Sequence, residues 1–192
     1  MWVKEDKAQP TQDAMRKNAS AEAVGIQGKH GERNEEHIKK LSALGDSHMS
    51  VGELDQAQRV FRQLREALAG PRGREHPDYA KALNKLALSY EATCEWQRAS
   101  YLYIEAEQVL SETVGREHMD YAQTISNHAN LHSKMNAHDD AERLYLTAGY
   151  VYAKVLGEDH PQHVRTLNNL AVVYAILVAV SDPRREQRAC GA

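Results

Sequence analysis

Two imidazoles on one helix face are the sharpest chemical signal in this 192-residue chain. His128 and His132 stand four residues apart, so on a helix both rings project the same way, as a pair of metal ligands would. A second set of histidines is periodic. The run "GREHPDY" at 73–79 returns as "GREHMDY" at 115–121 and as "GEDHPQH" at 157–163, which places His76, His118 and His160 at intervals of 42 residues. A reaction needs a catalytic group once, not at three equivalent sites, so these histidines are expected to cap or pack a loop. For the pair, no Asp, Glu or Cys lies one turn further on to complete a metal site. Hydrogen-bonded core histidines are therefore expected, with a metal- or ligand-binding helical domain built on His128 and His132 as the alternative. Buried and neutral, they would take on charge near or below pH ~6.5 and loosen the segment that carries them. There is no G-x-G-x-x-G, P-loop or H-E-x-x-H, and no Ser- or Cys-centred nucleophile motif. No enzymatic activity, cofactor or resident metal is expected.

The interval of 42 residues organises the rest of the chain. Residues 73–114 laid over 115–156 agree at 13 of 42 positions, including Ala80/Ala122, Ala87/Ala129, Ala99/Ala141, Tyr103/Tyr145 and Ala106/Ala148. A diverged copy opens at Gly31, and a further copy opens at Gly157 and dissolves after about Tyr174. Within a copy, Ala80, Leu83, Leu86, Ala87 and Tyr90 recur at steps of three and four, the apolar face of a helix. Ala99, Tyr103, Ala106 and Leu110 mark a second helix after a short break near Thr93–Glu95, which is weak, although its counterparts Val51–Gly52 and Asn136 are good helix enders. Small residues at 45, 87, 129 and 171 and at 57, 99 and 141 let the two helices approach closely, and a Tyr or Phe at 61, 103 and 145 fills the gap beside them. No such unit buries its apolar face alone, and stacking does it.

Composition agrees with helices. Apolar residues make up 42%, with one Phe and nine Tyr, and 24 basic against 27 acidic residues are intermixed for a net charge of −3. Without a basic excess, nucleic acid is not an expected partner. Cys94 and Cys190 lie far apart and form no disulfide framework. The first residues lack an apolar core of a signal peptide, and the longest apolar run, residues 170–180, is eleven residues against the roughly 20 of a membrane span. These features predict a cytoplasmic protein without a membrane segment.

The pattern Leu83-x-x-Leu86-Ala87-x-x-Tyr90, followed nine residues on by Ala99, Tyr103 and Ala106, resembles the tetratricopeptide repeat. The 42-residue spacing, the "G-x-x-H-P" opening and "TLNNLA" at 166–171 resemble its longer form in kinesin light chains. HEAT-type repeats also suit such a period, but the Ala and Tyr positions favour the tetratricopeptide. The resemblance implies an all-α, right-handed α-solenoid of helix-turn-helix repeats with about seven helices. Units are expected at 31–72, 73–114 and 115–156, with a partial unit at 157–180. A polar arm, residues 1–30, precedes them, and residues 11–24 carry either a further helix on the first unit or part of a disordered arm. An irregular tail follows at 181–192.

The resemblance also implies that the first helix of each unit lines a concave groove where a partner polypeptide docks. On it Lys39, Lys81, Gln123 and Arg165 share one repeat position, flanked by Asn84, Lys85, Ser126, Asn127, Asn130, Asn168 and Asn169. Amides both donate to and accept from an extended backbone, and cations at regular steps favour an acidic peptide segment. In related chaperone-binding arrays Lys and Asn grip a terminal carboxylate; Ser42 and Asp46 stand at the matching positions here, against that mode. The expected function is a non-enzymatic scaffold for a protein or peptide partner. The last helix, with Val172, Val173, Ile176 and Leu177, is expected to lack its covering partner and to self-associate.

Overall fold

The computed structural model describes residues 35–70 and 73–181. The expected arm at 1–30 and the tail from 182 onward lie outside the described residues. Two units are distinguished. The first, residues 1–40, contributes the helical residues 35–40, on which Lys40 and Glu36 form an ion pair at 2.7 Å. The second runs from Leu41 and is described as far as residue 181. It holds α1 (helical residues 41–51), α2 (Leu54–Leu68), a 3-10 turn (Gly73–Glu75), α3 (Pro77–Ala92), α4 (Trp96–Thr113), α5 (Met119–Lys134), α6 (His138–Leu156) and α7 (Pro161–Ser181). No strand occurs among the described residues. Each helix packs on its chain neighbours, and α5 also touches α3 and α7, so alternate helices line up side by side.

The recurring histidines are caps. Nδ1 of His76 accepts from the backbone N–H of Asp78 (3.2 Å), that of His118 from Asp120 (3.1 Å) and that of His160 from Gln162 (3.3 Å). Each bond satisfies a first-turn donor that the helix leaves without a partner. Pro77 and Pro161 follow directly, at the position where a missing N–H costs nothing. The glycines of the same motif serve two purposes. Gly115 and Gly157 have φ of 87° and 91°, the left-handed conformation that ends α4 and α6. Gly73 instead lies in the 3-10 turn, where a Cβ would come within 1.6 Å of the Leu68 carbonyl oxygen.

The tight turns inside each unit share one geometry built on three residue types. Gly52, Cys94 and Asn136, spaced by the repeat, have φ of 84°, 60° and 60°. In each, the next residue's N–H reaches back to a carbonyl five residues earlier, at 2.9 Å: Glu53 to His48, Glu95 to Tyr90 and Ala137 to His132. That is the Schellman closure. Cys94 adopts it although the left-handed region costs a side chain about 1–2 kcal/mol, because the helices on either side are fixed by packing.

Packing follows the small-residue pattern. Ala57, Ala87, Ala99, Ala129 and Ala141 have no exposed surface, and Phe61, Tyr103 and Tyr145 are buried against them. The expectation for α7 needs correction. Val173 is buried with Ala129, Ala141, Tyr145 and Leu170, and Leu177 packs beside them, so half of the face named as uncovered is part of the core. The exposed stripe is Val164, Leu167, Ala171, Tyr174 and Val178. Its counterparts two repeats earlier, Ala80, Leu83, Ala87 and Tyr90, are buried. Among the described residues no helix follows α7, and the face that α4 covers on α3 has no counterpart cover. Residues 161–180 of α7 also have a mean hydropathy of 1.4 and are long and apolar enough to cross a membrane by length and composition, a property that the eleven-residue apolar run understates.

Candidate functional site

The exposed sides of α3, α5 and α7 bound a cleft of about 550 Å³. Its lining repeats along each helix. Asp120 and Gln162 come from the first turn. Lys81, Gln123 and Arg165 come one turn later, then Lys85, Asn127 and Asn169, then Leu88 and Asn130; Asn84 completes it. The spacing of 3, 4 and 3 residues keeps these positions on one helix face.

Eight of the eleven residues singled out in the sequence therefore line one surface. The other three do not. Lys39 is exposed in the first unit. Ser126 is 2% exposed and so faces inward. Its equivalent Asn84 donates to Thr124 Oγ1 of the next lining helix at 2.6 Å, which shows that this row points between successive helices. Asn168, the third member of the row, is exposed and is not part of the lining, because no lining helix follows α7 among the described residues. Asp120, Gln162 and Leu88 are the lining residues that sequence reasoning missed. Asp120 and Gln162 lie three residues before Gln123 and Arg165, so helical spacing marked them; they were read only as part of the capping motif.

Charges and amides in the cleft are organised by internal bonds. Lys81 Nζ lies 3.4 Å from Asp120 and 3.5 Å from Asp78. Burial works against its charge, but the two carboxylates outweigh it and hold Lys81 above the usual lysine range. Lys85 pairs with both oxygens of Asp46, at 2.6 and 2.5 Å. Arg165 has no salt-bridge partner among the described residues. Gln162 donates to Gln123 Oε1 at 3.1 Å, and Gln123 in turn donates to Asn127 Oδ1 at 3.0 Å. Asn130 Oδ1 accepts from Asn169 at 3.0 Å and from the Tyr145 hydroxyl. With their oxygens occupied, Asn127 and Asn130 have N–H groups left to offer. Two lining acceptors, Asn84 Oδ1 and Gln162 Oε1, are buried without a hydrogen-bond partner, so it is the charge of the lining, Lys81, Lys85 and Arg165 against Asp120, that gives the cleft its sign.

The paired histidines sit elsewhere, where α5 meets α4 and α6. His128 is buried and His132 half-buried. His128 Nδ1 is 2.7 Å from Glu107 Oε1, and its Nε2 is 3.2 Å from both Ser100 Oγ and His132 Nε2. Tyr103 stacks near His128 with ring centroids 5.6 Å apart. Burial first, and then the neighbouring imidazole, push His132 below the ordinary histidine value of 6.5. A depressed histidine pKa means that the fold holds the neutral form. This contribution is present above about pH 6.5 and fades as the pH falls toward the lowered value. Melting temperatures should therefore fall between pH 7.5 and 5.5, and a His132→Tyr variant should lose part of that dependence when the same melts are compared.

The profile of the tetratricopeptide repeat family matches residues 37–112 and 120–177. No curated protein matches the sequence significantly. Among solved structures, BtubC (BKLC) from P. vanneervenii superposes with a TM-score of 0.69 at 22% identity, over 92% of this chain and 68% of that one. A kinesin light chain-type protein of Podosopora anserina with nearly identical TPR-like repeats gives 0.66 at 21% identity, over 71% of this chain and 65% of that one. PcrH in complex with the chaperone binding region of PopD gives 0.58 at 18% identity, over 73% and 93%. The chain spans about two thirds of the length of the first two structures, and at these identities the likeness is one of fold. The profile covers more than half of the residues, in step with the helix pairs, their alanine contacts and their left-handed turns. The chain belongs to the tetratricopeptide repeat family, in the architecture of kinesin light chain-like arrays.

Proposed function

We propose that this protein is a non-enzymatic interaction scaffold whose cleft takes an extended, acidic peptide segment of a partner protein. The observation that carries the reading is the charge of the cleft lining, Lys81, Lys85 and Arg165 against Asp120, with Arg165 lacking a salt-bridge partner among the described residues. The carboxylates of an acidic peptide supply the matching charge, and its backbone carbonyls accept from the N–H groups of Asn127 and Asn130. PcrH, of similar fold, holds a segment of another protein, which supports the polypeptide class of ligand. The capping role of His76, His118 and His160 removes the periodic histidines from the list of reactive groups.

Lys81 is a less clean probe than its position suggests, because reversing it also frees Asp78 and Asp120. Arg165→Glu disturbs no ion pair among the described residues. It should weaken binding of labelled Asp- and Glu-rich peptides by more than about tenfold at low salt, with the difference shrinking as salt rises. Lys-rich peptides of the same length are the control. Unchanged affinity of the acidic peptides in a fluorescence anisotropy titration rejects this face as the binding surface.

A second reading concerns the stripe Val164, Leu167, Ala171, Tyr174 and Val178 on α7. A row of side chains whose counterparts Ala80, Leu83, Ala87 and Tyr90 are buried in α3 favours association with a second copy of the chain through the same stripe. Sedimentation should show a dimer that Leu167→Glu converts to monomer. A monomeric parent protein at high micromolar concentration overturns this.

A further inference from the structure

The proton count at His128 and His132 does not close with two neutral rings. The 2.7 Å contact of His128 Nδ1 with Glu107 requires the N–H there and leaves Nε2 as a lone pair. His132 Nδ1 is buried without a hydrogen-bond partner, and Asp140 Oδ2 faces it at 3.8 Å. If His132 carries its proton on Nε2, it donates to His128 but turns an Nδ1 lone pair toward a carboxylate. If the proton is on Nδ1, Asp140 is served and two Nε2 lone pairs confront each other at 3.2 Å. The first arrangement leaves the buried Nδ1 without a donor, and the second leaves the gap between the rings without one.

We propose that His128 and His132 form a binding site for a divalent transition metal of the zinc class, held through both Nε2 atoms. Two nitrogens each ~2.0–2.1 Å from one tetrahedral zinc stand roughly 3.3–3.4 Å apart, and these stand 3.2 Å apart. Both Nδ1 atoms then carry protons: that of His128 bonds Glu107 in the carboxylate–histidine–metal arrangement that fixes ring orientation and raises ligand basicity, and that of His132 faces Asp140 at 3.8 Å. This changes the meaning of the missing third acid: the nearby carboxylates serve the far sides of the rings, not the metal. No three His, Cys, Asp or Glu converge on one point among the described residues. The protein thus supplies two ligands, with water in the remaining positions and Ser100 Oγ placed to bond one such water. Since α5 carries both ligands and α4 and α6 carry the two carboxylates, the bound ion ties one repeat to the next.

The neighbouring repeats provide variants that should fold. Leu86 and Tyr90 in α3, and Leu170 and Tyr174 in α7, occupy the same repeat positions. Calorimetric titration of the full chain with zinc chloride should show one equivalent bound and a raised melting temperature. The His128→Leu, His132→Tyr double variant should lose both effects while keeping its helical circular dichroism. Glu107→Gln should weaken binding about 10–100-fold. Zinc affinity that survives in the double variant, or a parent chain whose melting temperature zinc does not raise, overturns the proposal. Peptide binding in the cleft is a separate measurement and is not expected to follow either result.

Discussion

Truncating Tyr103 to alanine should lower the unfolding free energy by about 3–5 kcal/mol, the range for removing a fully buried aromatic ring. Tyr103 has no exposed surface. Its ring lies against His128 of the next repeat, and its hydroxyl donates to Glu91 Oε2 of its own repeat at 3.1 Å. Burial first, and the Glu91 charge second, push its hydroxyl far above the ordinary tyrosine range. Glu91 is itself buried and receives Lys134 Nζ at 2.6 Å from α5. One side chain therefore joins α3, α4 and α5. Tyr103→Phe separates the two parts of the effect: it keeps the ring, and should cost about 1.5–3 kcal/mol for the lost hydrogen bond to a charged acceptor. Urea unfolding midpoints measure both, provided the slope is unchanged. If the alanine variant is no less stable than the phenylalanine variant, the ring is not a packing element and the small-residue account of the repeat fails.

Period, helix pairing and the small-large alternation were legible because they rest on local chemistry that recurs. Ala87 and Ala129, or Tyr103 and Tyr145, announce themselves by standing 42 residues apart. The Schellman turn at Cys94 was less visible, since cysteine has no preference for positive φ and only its neighbours one repeat away revealed the position. The rows through Lys81 and Lys85 line the cleft, whereas Ser126 faces inward. The rows of Lys85 and Ser126 are one residue apart, about 100° around the helix, and sequence periodicity resolves the apolar face better than the edge between cleft and neighbouring helix. The partners of His128 were out of reach for a different reason. Glu107 is 21 residues away and Ser100 is 28, on a helix whose rotation about its axis is set only when it packs. The exposed stripe of α7 was misplaced on the same ground, because an uncovered helix still buries one face against its predecessor.

Gly45→Ala should destabilise the protein although alanine is the better helix former and stands at the matching position of every later repeat. Helix propensity alone favours the change by roughly 0.8–1.0 kcal/mol. Against it, a Cβ on Gly45 would lie 2.2 Å from Phe61 Cε1, with Cδ1 and Cζ at 2.7 and 2.8 Å. Phe61 is 1% exposed and Ala57 beside it has no exposed surface, so the ring has nowhere to retreat. Overpacking of this kind costs typically 1–3 kcal/mol, which exceeds the propensity gain over most of its range. The later repeats tolerate alanine because their large residue is tyrosine held by its hydroxyl: Tyr103 by Glu91 and Tyr145 by Asn130. Phe61 has no such tether, and its ring lies over the glycine. Glycine with phenylalanine, and alanine with tyrosine, are therefore two solutions to one contact, and adding the methyl group without shrinking the ring should fail. Phe61→Leu in the Gly45→Ala background should recover stability, with a coupling energy of about 0.5–3 kcal/mol in a double-mutant cycle of thermal or urea unfolding. A Gly45→Ala variant more stable than the parent would show that propensity governs this helix and that the ring yields.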